Sequence, residues 1–149
     1  MIDVYGDLFE YSASAIAITT NGFVRKDGRA VMGAGCAKEA ADLWPGLPLA
    51  VGASIIANGN HVFCFKNWVG MKDLITFPVK HHWHQPADLA LIERSCKEAM
   101  EAADREDWEI CVVPRPGCGN GQLSYDIVGP FIAGILDDRF HIITWEETP

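Results

Sequence analysis

The sequence predicts an α/β protein of three layers, α/β/α, with a mixed and mostly parallel central sheet. Three observations carry this. Short apolar runs rich in β-branched residues alternate along the chain with segments of helical period. Two glycine-rich loops, 33–36 and 117–121, each open a helix, and the second directly follows a strand. With 149 residues, 49% of them apolar and 21% charged, the chain has the size and composition of one globular domain over residues 1–149.

Taken in order, residues 1–5 read as a short strand before Gly6-Asp7, and residues 15–20 as a buried strand. Residues 21–29 are polar and glycine-marked, which predicts a loop. Residues 34–43 read as a helix ended by Pro45. No element is predicted between Pro45 and His61. Residues 61–66 and 74–77 read as strands joined by a turn near Gly70. Residues 87–105 form the clearest helix, with Pro86 before it and Leu89, Ile92, Cys96, Ala99 and Ala103 on one face. A strand follows over 109–113. A helix over 124–136 would turn Ile127, Val128, Phe131, Ile132, Ile135 and Leu136 inward, with Pro130 kinking it or lying near its first turns. Residues 140–145 close the chain as a strand.

Composition excludes several classes. The net charge of −8 argues against a broad grip on duplex nucleic acid, though not against a local basic mouth. Arg25, Lys26, Lys66, Lys80 and the histidines at 81, 82 and 84 are the candidates for such a mouth. No apolar stretch is long enough to span a membrane, and no signal peptide is visible, so no membrane partner is expected. The five cysteines have no tight spacing, which implies reduced thiols and a cytoplasmic chain. The closely spaced histidines lack a cysteine or acid at ligand spacing, so no metal is expected. Trp83 and Trp145 are expected to be partly buried.

The glycine loops point to a ligand. Glycine lets a bound group approach the main chain, and bare N–H groups beside a helix N-terminus suit a phosphate. Two such loops suggest two phosphates. The alternative is that the glycines only close strand-to-helix turns.

Gly6-Asp7-Leu8, Asn21 after a buried strand, Met32-Gly33-Ala34-Gly35-Cys36-Ala37 and Pro116-Gly117-Cys118-Gly119-Asn120-Gly121 together resemble a macro domain, over nearly the whole chain. The segment Phe77-Pro78-Val79-Lys80-His81-His82-Trp83 resembles the branch that holds the DNA ADP-ribosyl glycohydrolase antitoxins and the terminal ADP-ribose protein glycohydrolase. The resemblance implies an ADP-ribose site. Asp7 would accept from the adenine amino group, with the Leu8 backbone nearby and Trp145 stacked on the base. Asn21 would lie beside the distal ribose. Gly33, Ala34, Gly35 and Cys36 would surround that ribose and the diphosphate, and Gly117, Cys118, Gly119, Asn120 and Gly121 would form the second phosphate loop. Lys80 matches the branch's catalytic lysine, as nucleophile at the anomeric carbon or as a group handling protons and charge. Lysine suits either role when desolvation or nearby positive charge lowers its pKa, and His81 and His82 are placed to supply such charge. The plain alternative is a solvated surface lysine.

The sequence departs from the branch in three places. Gly121 stands where the protein glycohydrolase carries an acid; the DNA-directed antitoxins also have Asn-Gly there. The segment from Phe23 to Arg29 is longer than in many macro domains. The antitoxins' further C-terminal domain is not expected, since the sequence ends at Pro149. The expected function is hydrolysis of ADP-ribose from a modified target, DNA before protein, by a monomer that needs no cofactor and touches single-stranded DNA transiently. The alternatives are a non-catalytic reader or sponge of ADP-ribose or a related nucleotide, and an ADP-ribose 1″-phosphate phosphatase. Cys36 and Cys118 are expected to be small loop residues rather than nucleophiles.

Overall fold

The computed structural model describes residues 1–145; residues 146–149, the end of the expected domain, lie outside the description. In chain order the elements are β1 (Ile2–Tyr5), β2 (Ala15–Asn21), α1 (Gly35–Leu43), α2 (Leu47–Asn58), β3 (Cys64–Val69), β4 (Lys72–Lys80), α3 (Leu89–Glu106), β5 (Cys111–Pro114), α4 (Tyr125–Ala133) and β6 (Phe140–Thr144). The strands form one six-stranded sheet, ordered β1-β6-β5-β2-β4-β3. Every pairing is parallel except that of β3 with β4. The mixed, mostly parallel α/β sheet is the one predicted.

The central strands are buried on both faces, which is why they read as largely apolar runs. Ala15 and Ala17 of β2 pack with Ile75 and Phe77 of β4 against Ile92, Cys96 and Ala99 of α3 and Val128 and Ile132 of α4. Ile16, Ile18 and Leu74 face the other way, onto Ala37 and Ala40 of α1 and Leu47 and Val51 of α2. Asp88 caps α3, its carboxylate accepting from the Ala90 N–H at 2.9 Å, and Asp107 ends that helix in a left-handed conformation.

Four expectations need correction. Helix α2 had no predicted counterpart. It is apolar on nearly every side, so it lacks the polar face that makes a period visible; Leu49 and Ile56 stay exposed although Leu47 and Val51 are buried. Strand β3 starts at Cys64 rather than at 61, because side chains take the N–H groups of Val62 and Phe63. Phe63 N donates to Thr76 Oγ1 at 2.8 Å, and Val62 N to Glu98 Oε1 at 2.9 Å. Helix α4 ends at Ala133, with Pro130 inside it, and Ile127 is exposed rather than inward. Lys66 belongs to no basic mouth. It lies towards the opposite end of the sheet from Lys80 and pairs with Asp73 at 2.8 Å and Glu106 at 2.7 Å.

Asp73 is the centre of that pairing. It is buried, and its carboxylate also accepts from Trp108 Nε1 and Asn67 N, each at 2.9 Å. Burial alone would raise its pKa, but Lys66 and the two N–H donors outweigh burial and hold the carboxyl below its usual value. A depressed folded pKa means the stabilisation is full above the unfolded value of about 4 and is lost as pH falls through the folded value. Asp73→Asn should therefore cost about 2 kcal/mol at pH 7. The gap to wild type should narrow below about pH 4; urea melts at pH 7 and pH 3 check both statements.

Candidate functional site

The C-terminal ends of β2, β4, β5 and β6 border a cleft of about 470 Å³, a volume suited to a small-molecule ligand. Both glycine loops reach it. Gly33, Ala34, Gly35 and Cys36 lead into α1 on one side, and Gly117, Gly119, Asn120 and Gly121 lie on the other. The two loops are neighbours: a side-chain carbon built at Gly35 would lie 3.3 Å from Asn120 Nδ2.

The helix ends beside the loops differ. Ala34 begins α1 in an extended conformation without a side-chain cap, and the first turn holds no acid. That end is fit to receive an anion. Helix α4 caps itself: Ser124 Oγ accepts from Asp126 N at 3.3 Å, and Asp126 adds a negative charge to the first turn. The second loop thus offers its backbone, and the uncapped helix end belongs to the first.

Lys80 ends β4 and lines the cleft. Its Nζ donates to the Asn120 carbonyl at 3.0 Å and to the Trp83 carbonyl at 3.4 Å, tying strand to loop. Its own carbonyl accepts from Asn60 Nδ2 at 3.0 Å. Pairing of β2 with β4 slips beside Pro78: Thr20 sits opposite Pro78, but Asn21 sits opposite Lys80. Proline has no N–H for the ladder and is found in sheets at such irregularities. The slip places Lys80, rather than Val79, next to Asn21.

Asn21 borders the cleft with its amide engaged. Nδ2 donates to Val31 O at 2.9 Å, and Oδ1 accepts from Phe23 N at 3.0 Å. It fastens the base of the 22–31 loop, which folds as a small hairpin with a Val24–Ala30 bridge. Leu8, Thr144 and Trp145 close another part of the cleft, and Trp145 is 68% exposed. Asp7 does not line the cleft. It faces an adjoining shallow hollow with Glu10 and Tyr11, and its Oδ1 accepts from Phe9 N at 2.9 Å. Cys118 is also outside the lining, its thiol donating to Pro116 O at 3.4 Å. Burial raises the Cys36 and Cys118 thiols above their usual pKa. The Cys36 sulfur accepts from Thr19 N at 3.4 Å and pairs with Thr19 Oγ1 at 3.3 Å. Neither thiol has the environment of a nucleophile.

Arg115 and Trp83 are among the lining residues that the sequence reading left out of the site. Arg115 enters from the end of β5, its guanidinium 4.1 Å over the Tyr125 ring. Burial, with Asp3 as partner, keeps the Tyr125 hydroxyl protonated. Trp83 lies beside Lys80 and is 52% exposed, more open than expected. The signal for both was proximity in sequence, Arg115 to the glycine loop and Trp83 to the lysine. The adjacent histidines have contacts of their own away from the Lys80 amine. Burial, then the nearby His84, lower the His82 pKa, and His81 Nε2 pairs with Asp88 at 2.9 Å. Among the described residues no group of three or more side chains converges as a metal site.

The departure at Gly121 has a structural reason. A side-chain carbon there would lie 2.4 Å from the Gly117 carbonyl oxygen and 2.8 Å from Ala87 Cβ. This loop conformation cannot carry an acid at 121.

No protein-family model matches the chain. A curated relative, the DNA ADP-ribosyl transferase-DNA ADP-ribosyl glycohydrolase fusion protein of Thermosipho africanus, is 34% identical over 62 residues, 42% of this chain and 16% of that protein. Among solved structures, Thermosipho africanus DarTG in complex with ADP-ribose superposes with a TM-score of 0.82 at 21% identity, over 95% of this chain and 41% of that one. The macrodomain of Mycobacterium tuberculosis DarG gives 0.81 at 24% identity, over 98% of this chain and 99% of that one. The macrodomain of Thermus aquaticus DarG gives 0.81 at 22% identity, over 98% and 97%. With its sheet order, its paired glycine loops and its cleft at the strand ends, the chain has the macrodomain fold of the DarG proteins.

Proposed function

We propose that the chain binds ADP-ribose in this cleft and hydrolyses it from a modified target, with DNA as the favoured acceptor. The observation that carries the reading is Lys80: its amine reaches the cleft from β4 and meets the second glycine loop at Asn120 O, 3.0 Å away. The backbone of residues 33–36 and 117–121, with the uncapped end of α1, suits the diphosphate. Leu8 and the exposed Trp145 suit the adenine, with Asp7 at the edge of that end. Asn21, Cys36 and Lys80 line the cleft, and we assign them to the distal ribose and its attached group. Support for DNA comes from the relative described as a DNA ADP-ribosyl transferase-DNA ADP-ribosyl glycohydrolase fusion, and support for ADP-ribose from the similar structure solved with it.

The chemistry asks little of the fold beyond placement. Water must replace the acceptor at the anomeric carbon, and the acceptor must leave with a proton. Lys80 supplies a positioned amine at that carbon, and the loops hold the sugar diphosphate still.

A non-catalytic reader is the second reading, because the backbone loops and the uncapped end of α1 account for binding without any turnover. Calorimetric titration with ADP-ribose, alongside release from ADP-ribosylated single-stranded DNA, separates the two. Binding with release supports the hydrolase. Binding without release, on DNA and on modified peptide alike, supports the reader. Absence of binding overturns both.

A further inference from the structure

Four rings gather at the mouth of the cleft. Phe23 of the 22–31 hairpin packs on His82 with ring centroids 4.3 Å apart, and His82 packs on His84 at 3.9 Å. Trp83 stands edge-on to His84 at 5.4 Å and lines the cleft beside Lys80. Trp83 is 52% exposed and Phe23 36%. This is costly apolar surface for a loop tip. His82 within it is held towards its neutral form, and its Nδ1 is buried without a hydrogen-bond partner. Two exposed cations, Arg25 and Lys26, stand on the Phe23 hairpin, although the chain as a whole carries −8.

We propose that this aromatic shelf is a stacking platform for an unpaired base of single-stranded DNA, beside the nucleotide that carries ADP-ribose. The inference rests on the cleft being an ADP-ribose hydrolase site and adds how the acceptor strand is held. Every base has a π-face, so stacking on exposed rings beside a few cations grips a single strand without reading its sequence. Duplex DNA keeps its bases inside the stack and meets only the overall negative charge. A peptide acceptor gains little from the shelf, whereas a DNA strand offers bases to the rings and phosphates to Arg25 and Lys26 on the same hairpin. The shelf is continuous with the cleft, since the Trp83 carbonyl receives the Lys80 amine at 3.4 Å.

The test uses fluorescein-labelled oligothymidylate, single-stranded and annealed to its complement, with anisotropy as readout. Wild type should bind the single strand and not the duplex. Phe23→Ala and Trp83→Ala should each weaken that binding at least about fivefold, the low end for loss of one stacked base. Trp83→Phe should retain it, because a ring remains. In turnover, wild type should prefer an ADP-ribosylated oligonucleotide over an ADP-ribosylated mononucleotide in kcat/KM, and Phe23→Ala should remove the preference. ADP-ribose calorimetry on Phe23→Ala should match wild type, since Phe23 does not line the cleft. Equal binding of duplex and single strand, no oligonucleotide binding by wild type, or ring variants indistinguishable from wild type would each overturn the shelf. An equal loss by the ring variants on an ADP-ribosylated peptide would overturn DNA as its occupant. If ADP-ribose fails to bind but the ring variants still lose oligothymidylate, the hydrolase reading falls and the shelf stands.

Discussion

Lys80→Ala should lower release of ADP-ribose from single-stranded DNA by about 10³-fold, within the range for loss of a positioned acid, base or nucleophile. ADP-ribose affinity should stay within about threefold, because the proposed site holds the diphosphate on neutral backbone donors. The second loop keeps its shape without the lysine. Leu123 N donates to Gly117 O, Gln122 N to Gly119 O and Ala87 N to Gly121 O, all within 2.9–3.1 Å. Lys80→Arg separates two roles. Arginine restores the charge but is a poor nucleophile, so recovered turnover would assign Lys80 to charge stabilisation. Failure to recover, together with borohydride trapping of ADP-ribose on the wild-type protein, would assign it to attack. In that route the amine displaces the acceptor at the anomeric carbon, the ring opens to an imine, and water releases the sugar. A Lys80→Ala variant that turns over like wild type would remove the lysine from the mechanism.

Gly52→Ala should cost about 3 kcal/mol, the upper end for forcing an atom into a packed interior. Helix propensity alone predicts the opposite sign, a gain of about 1 kcal/mol. The difference lies in what α2 touches. A side-chain carbon at Gly52 would lie 1.9 Å from the Gly28 carbonyl oxygen and 3.0 Å from Ala30 N, and both are backbone atoms. The 22–31 hairpin also leans on α2 through Ala30 N donating to Pro48 O at 2.9 Å. Moving the hairpin would strain the Asn21 bond to Val31 and shift Phe23 from His82. A thermal melt should show a fall of roughly 6–12 °C at this chain length. A melting point equal to or above wild type would show that the hairpin gives way freely.

Much of this fold is legible in the residues, for reasons that particular elements make plain. Helix α3 announces itself because Ile92, Cys96, Ala99 and Ala103 keep a helical period against a charged outer face. Strands β2 and β5 are legible because strands buried on both faces are mostly apolar, as in residues 15–18 and 111–113. Helix α2 is not, since a helix that is apolar all round has no phase to read. The same uniformity in α4 hides which side Ile127 faces. The glycine loops stand out because closely spaced glycines serve backbone geometry. Lys66 misled because its charge is visible in the sequence, whereas its partners Asp73 and Glu106 meet it only through the fold. Arg115 and Trp83 join the cleft from separate segments, and only their closeness in sequence to the glycine loop and to Lys80 announces the meeting.

Pro78 carries no reactive group, yet the pairing of β2 with β4 changes phase beside it. The position of the cleft's amine is therefore a matter of counting along the strand as well as of residue type. A macrodomain sequence can keep the lysine and still present it to the wrong neighbour if the ladder runs on unbroken through this point. Alignments scored by chemistry alone would rate such a chain as competent. In this fold, the proline and the spacing after it are part of the address at which the lysine is delivered.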